Sequence, residues 1–110
     1  MGLTKTEFFT QEQNQLAAIF KALAHPARIA ILQVLIEKDT CICGDIVEEL
    51  PLAQPTVSQH LKELKSVGLV KGEIEGTSIC YCINQETWSQ VKHLVDDLFT
   101  ALSVNQKCCS

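Results

Sequence analysis

No run of apolar residues in this 110-residue chain approaches the roughly 18 that a membrane-spanning helix requires. Residues Met1 to Glu7 lack the apolar core and cleavage site of a secretory leader, so the chain reads as cytoplasmic. The five glycines form no phosphate-cradling loop. Paired carboxylates, or a nucleophile with a nearby base, are also missing, which sets enzymatic chemistry aside. Internal repeats and low-complexity linkers are absent as well. With 46% hydrophobic and 20% charged residues, the chain reads as one globular domain over residues 1–110, ending in an aperiodic, cysteine-containing tail at 105–110.

An excess of positive charge is lacking too. The formal net charge is -4, which argues against a polyanionic partner until the distribution is considered. Residues 54 to 71 carry Lys62, Lys65 and Lys71 against the single acid Glu63, while Asp39, Asp45, Glu48, Glu49, Glu73, Glu75, Asp96 and Asp97 lie outside that window. An acidic body with a mildly basic surface would bind DNA with strong salt dependence.

The pattern along the chain is mainly helical. A first helix is expected after Thr10, which forms a capping box with Gln13, and its apolar stripe is Leu16, Ile19, Phe20 and Leu23. Pro26 fits the first turn of a second helix, with Ile29, Leu32, Leu35 and Ile36 as its buried face. Residues 44–50 are long enough for two helical turns before Pro51. The following helix has Pro55 near its start, Val57, Leu61 and Leu64 on one face, a polar opposite face, and Gly68 where a left-handed C-terminal cap is wanted. After Gly68 the period changes to two, and Glu75-Gly76-Thr77 reads as the turn of a hairpin. Asn84 caps a last helix bearing Trp88, Val91, Val95, Leu98, Phe99 and Leu102. Two apolar helices at the ends of so short a chain call for a partner subunit to cover them.

This order is that of a dimeric winged helix-turn-helix: mainly α with a small β-hairpin, its second turn-flanking helix able to enter a major groove. Gln54, Thr56, Ser58, Gln59 and His60 offer donors and acceptors for base edges, and Lys62, Lys65 and Lys71 are placed for phosphates. The bland alternative is a solvated face on an ordinary amphipathic helix.

The segments Phe20 to Ile29, Gln54 to Leu64 and Val67 to Val70 resemble the ArsR/SmtB family of bacterial transcriptional repressors, in the family's order and spacing over roughly residues 16 to 84. The resemblance implies a homodimer, joined through the first and last helices, that holds double-stranded operator DNA until a metal ion, metalloid or thiol-reactive signal releases it. His25 stands where many members carry Asp, and Ala53 where many carry a capping Ser.

Six cysteines in a chain without a secretory leader point to thiol chemistry. Cys41 and Cys43 fall at or just before the expected helix at 44–50, where amides and helix dipole favour thiolate. In the family, a Cys-x-Cys pair at this helix marks arsenite and antimonite sensors; Gly44 shifts the pair about one residue from the usual register. Arsenite takes three sulfur ligands, so the resemblance also brings in Cys108 and Cys109 of the tail. Cys80 and Cys82 share one face of a strand and read as ordinary strand positions beside Tyr81 and Ile83, with a separate thiol site as the alternative. His93, Asp96 and Asp97 read as a solvated face.

The expected function is therefore a repressor induced by arsenite or antimonite, with a soft divalent metal as the other inducer class. A redox- or persulfide-sensing repressor of the same fold is the first alternative. A thiol-rich metal buffer or chaperone that never meets DNA is the alternative from another class.

Overall fold

Thr10 opens the first helix through reciprocal bonds: its Oγ1 accepts the Gln13 N–H at 3.0 Å, and its own N–H donates to Gln13 Oε1 at 2.9 Å. The helix that follows, α1 (Gln11–Leu23), buries Ile19 and Ala22. The computed structural model describes residues 8–38, 41–42, 50–75 and 78–102.

Helix α2 (Pro26–Lys38) starts at the proline, whose missing N–H costs nothing in a first turn. His25 Nδ1 accepts the Ala27 N–H at 3.1 Å, which is the capping role of an Asp oxygen. The buried face of α2 is Ile31, Leu32 and Leu35, whereas Ile29 and Ile36 are 41% and 51% exposed. The expected face was thus half right. Apolar residues surround this helix, so spacing alone does not choose the inward side; packing against the helix over residues 54–66 does.

Ile42 is extended and only 4% exposed. It exchanges both backbone hydrogen bonds with Tyr81, at 2.8 and 2.9 Å, adding a one-residue antiparallel bridge to the wing. The short helix expected at 44–50 lies outside the described residues apart from Leu50, which is in a bend.

Helix α3 (Gln54–Ser66) has Pro55 in its first turn and no side-chain bond from its N-cap, Ala53. Its inward stripe is Val57, His60, Leu61 and Leu64, at steps of three, one and three. Gly68, at φ +82°, ends the helix; its N–H donates to Lys65 and that of Leu69 to Leu64.

Strands β1 (Val70–Glu75) and β2 (Ser78–Ile83) pair antiparallel, from Val70 opposite Ile83 to Glu75 opposite Ser78. Asn84 closes the base of this wing by donating its N–H to Leu69 O at 3.0 Å, and its side chain accepts the Thr87 N–H to cap α4 (Gln85–Thr100). The fold is a winged helix-turn-helix, mainly α with a two-stranded hairpin.

One core joins these elements: Ile19, Ile31, Leu32, Leu35, Ile42, Val57, Leu61, Leu64, Leu69, Val70 and Val91. Burying each such large side chain contributes about 1.5–3 kcal/mol, so the wing and α3 are held to the body by the same apolar surface. Tyr81, Ile83, Trp88 and Val95 pack partly buried against that core. Phe8, Phe9, Phe20, Leu98, Phe99 and Leu102 remain outside it, 41–69% exposed, with α1 packed beside α4. Among the described residues, no single helix is long and apolar enough to cross a membrane.

Candidate nucleic-acid interface and thiol cluster

Helix α3 presents Gln54, Thr56, Ser58, Gln59, Lys62 and Lys65 to solvent, and Lys71 is exposed at the start of the wing. These side chains share the open side because the apolar stripe fastens the opposite side to α2 and β1. Gln59 Nε2 lies 3.4 Å from Glu63 Oε1, a bond that orients the amide along the helix surface.

His60 departs from the expected reading face. It is 8% exposed, turned inward with Val57 and Leu64, and its Nδ1 accepts a hydrogen bond from Arg28 Nε at 3.2 Å. Arg28 also donates through Nη1 to Ala22 O at 3.1 Å, and the His25 and His60 rings lie 4.4 Å apart. Burial, then the neighbouring His25 and Arg28, hold the His60 imidazole below its ordinary pKa, while Glu63 acts weakly the other way. His60 therefore ties α3 to the α1–α2 corner as a neutral acceptor. Its position three residues after Val57 and four before Leu64 carried that signal in the sequence, but its polarity concealed it.

The cysteines converge in a way that spacing did not reveal. Because Ile42 and Tyr81 form a hydrogen-bonded pair, the next pair along, Cys41 and Cys82, is a close, non-hydrogen-bonded one with Cα atoms 4.3 Å apart. Their sulfurs are joined as a disulfide. Cys80, wholly buried two residues before Cys82 on β2, is engaged as well. Cys82 is thus no ordinary strand position. Cys43, Cys108 and Cys109 lie outside the described residues. A carboxylate oxygen of Glu73 and the sulfurs of Cys41 and Cys82 all lie within 4.8 Å of one another. They stand in the wall of a cleft of about 570 Å³ that is also lined by Leu35, Ile36 and Lys71. His93 and Asp97 are exposed, and Asp96 pairs with Lys92 at 3.1 Å, as a solvated face should.

Residues 23–73 match the family model described as a helix-turn-helix domain. A helix-turn-helix transcriptional regulator of Methanocaldococcus jannaschii, uncharacterised in function, is 40% identical over 80% of this chain and 99% of its own length. The arsenical resistance operon repressor of Staphylococcus xylosus is 32% identical over 80% of this chain and 84% of its own. This chain belongs to the ArsR/SmtB family of transcriptional regulators. Among solved structures, the homodimeric winged helix-turn-helix DNA-binding domain of a possible ArsR-family regulator from Mycobacterium bovis superposes with a TM-score of 0.64. It is 25% identical, and the match covers 96% of this chain and 98% of that one.

As an ArsR/SmtB member, the protein is a DNA-binding transcriptional repressor and not an enzyme. Membership leaves the metal-buffer alternative without support. The His25 departure from the family pattern also finds its explanation, since the imidazole caps α2 in place of a carboxylate.

Proposed function

We propose that this protein is a metalloid-responsive repressor: a homodimer holds operator DNA and is released when arsenite or antimonite binds its cysteine thiolates. The observation that carries this reading is the position of Cys41, on a segment hydrogen-bonded directly to wing strand β2. An inducer at that thiol acts on the DNA-binding half of the fold. The likeness to an arsenical resistance repressor supports the same inducer class.

In this reading the ligands are drawn from Cys41, Cys43, Cys108 and Cys109. Gln54, Thr56, Ser58 and Gln59 meet base edges, while Lys62, Lys65 and Lys71 meet phosphates. His60 leaves that set because it is buried. The exposed Phe8, Phe9, Phe20, Leu98, Phe99 and Leu102 form the dimer face along α1 and α4. The repressor acts as a single domain in the cytoplasm. Inducer binding displaces α3 from its dimer mate's spacing, so the two half-sites are no longer spanned together.

The test is a gel shift of reduced protein on DNA from its own upstream region, with added arsenite. Arsenite should release the wild type, whereas Cys41→Ser with Cys43→Ser should bind DNA and stay bound. Normal release of that double variant would refute the ligand assignment. A second reading is favoured by the Cys41–Cys82 disulfide: a redox-sensing repressor. It requires release by oxidant, reversal by dithiothreitol, and indifference to arsenite.

A further inference from the structure

We propose that Cys41, Cys82 and Glu73 form, in the reduced protein, a binding site for a thiophilic divalent cation of the zinc and cadmium class, fastening the segment at residues 41–42 to the wing. The donor set comes from three separate stretches: the segment after α2, strand β2 and strand β1. Two backbone hydrogen bonds between Ile42 and Tyr81 fix the opposition of the two cysteines. Glu73, one strand further across, reaches the same point. Tetrahedral zinc binds sulfur at ~2.3 Å and carboxylate oxygen at ~2.0–2.2 Å, which spaces its donors roughly 3.4–3.8 Å apart. Once reduction breaks the disulfide, the two sulfurs part to that spacing, and the Glu73 carboxylate oxygen, within 4.8 Å of both, needs only a small movement to meet the same ion. The cleft at their side provides the entry path and leaves a fourth position open.

The chemistry separates this site from that of the metalloid. Arsenite wants three sulfurs, whereas two sulfurs and a carboxylate suit a divalent d¹⁰ ion. Cys41 is common to both readings; Cys82 and Glu73 belong only to this one. Loading starts from the disulfide. A phosphine reductant gives it two electrons, two protons come from solvent, and the phosphine takes oxygen from water to become its oxide. The cation then displaces the two thiol protons, which leave to solvent, and the resulting thiolates bind it beside the Glu73 side chain.

The experiment is titration of phosphine-reduced, full-length protein with cadmium, followed by ultraviolet sulfur-to-cadmium absorbance and by proton release. Wild type should bind tightly, with two protons released for each ion held by this site. Cys82→Ser should lower cadmium affinity at least tenfold and diminish the absorbance. Glu73→Gln, at an exposed position that leaves folding intact, should weaken binding about tenfold while the sulfur band keeps its full intensity. Wild-type affinity in both Cys82→Ser and Glu73→Gln would overturn the site. Arsenite release from DNA, measured on the same variants, separates the two readings. Release that persists in Cys82→Ser while cadmium affinity falls supports two ligand sets sharing Cys41. Release lost only with Cys43, Cys108 or Cys109, alongside unchanged cadmium binding in the Cys82 and Glu73 variants, leaves the metalloid reading standing and removes this one.

Discussion

Replacing Arg28 with Met removes the guanidinium that joins the α1–α2 corner to the reading helix while keeping most of the apolar stem. Two acceptors lose their donors: His60 Nδ1, at 3.2 Å from Nε, and Ala22 O, at 3.1 Å from Nη1. Hydrogen bonds to a charged donor contribute about 1.5–3 kcal/mol each, and the partial burial here, with some relief by water, puts the combined loss at about 2–4 kcal/mol. In a domain of this size that lowers the melting temperature by roughly 10 °C, with protein concentration held fixed because any self-association makes the midpoint concentration-dependent. The same network gives a pH signature. Folding holds His60 below its ordinary value of 6.5, so near and below that value the unfolded chain binds a proton that the folded chain resists. Stability is therefore fully present above the unfolded pKa and is lost as pH falls from 6.5 toward the depressed folded value. Urea midpoints across that window should decline in the wild type and decline less in His60→Gln. A loss under about 0.5 kcal/mol for Arg28→Met, or identical pH slopes for wild type and His60→Gln, would refute the network's structural role.

Gly68→Ala should cost about 1–2 kcal/mol in chemical denaturation, because φ is +82° and the new Cβ would stand 3.3 Å from Thr87 Oγ1. Lys65→Ala should weaken binding to all DNA sequences alike and reduce the slope of log affinity against log salt by about 0.9, measured by fluorescence anisotropy. Gln59→Ala, by contrast, should change which sequences are preferred while leaving that salt slope in place. Phe99→Asp should shift the protein from dimer to monomer in sedimentation velocity, since Phe99 is 69% exposed on the apolar α4 face.

The parts of the fold legible in the sequence were those with local causes. Thr10 and Gln13, Pro26, Gly68 and Asn84 each mark a helix end through chemistry completed within a few residues, and each stands where that chemistry requires. The hairpin was readable from its change of period. What escaped was long-range or disguised. The bridge from Ile42 to Tyr81 is one residue long, too short to leave a strand pattern, yet it brings together cysteines 41 positions apart. His60 looked like a base reader because it is polar, although it occupies a core position and finds its partner 32 residues earlier. On α2, apolar residues on every side left the inward face to be chosen by tertiary packing, which placed Ile31 inside and Ile36 outside.

The central claim is that thiol chemistry at Cys41 controls the grip on DNA. Its most direct test is fluorescence anisotropy of a labelled upstream DNA fragment bound by reduced protein, titrated with arsenite. The anisotropy should fall to that of free DNA for the wild type and remain at the bound value for Cys41→Ser combined with Cys43→Ser. An equal fall in both proteins would contradict the claim, as would a wild-type complex that arsenite leaves intact.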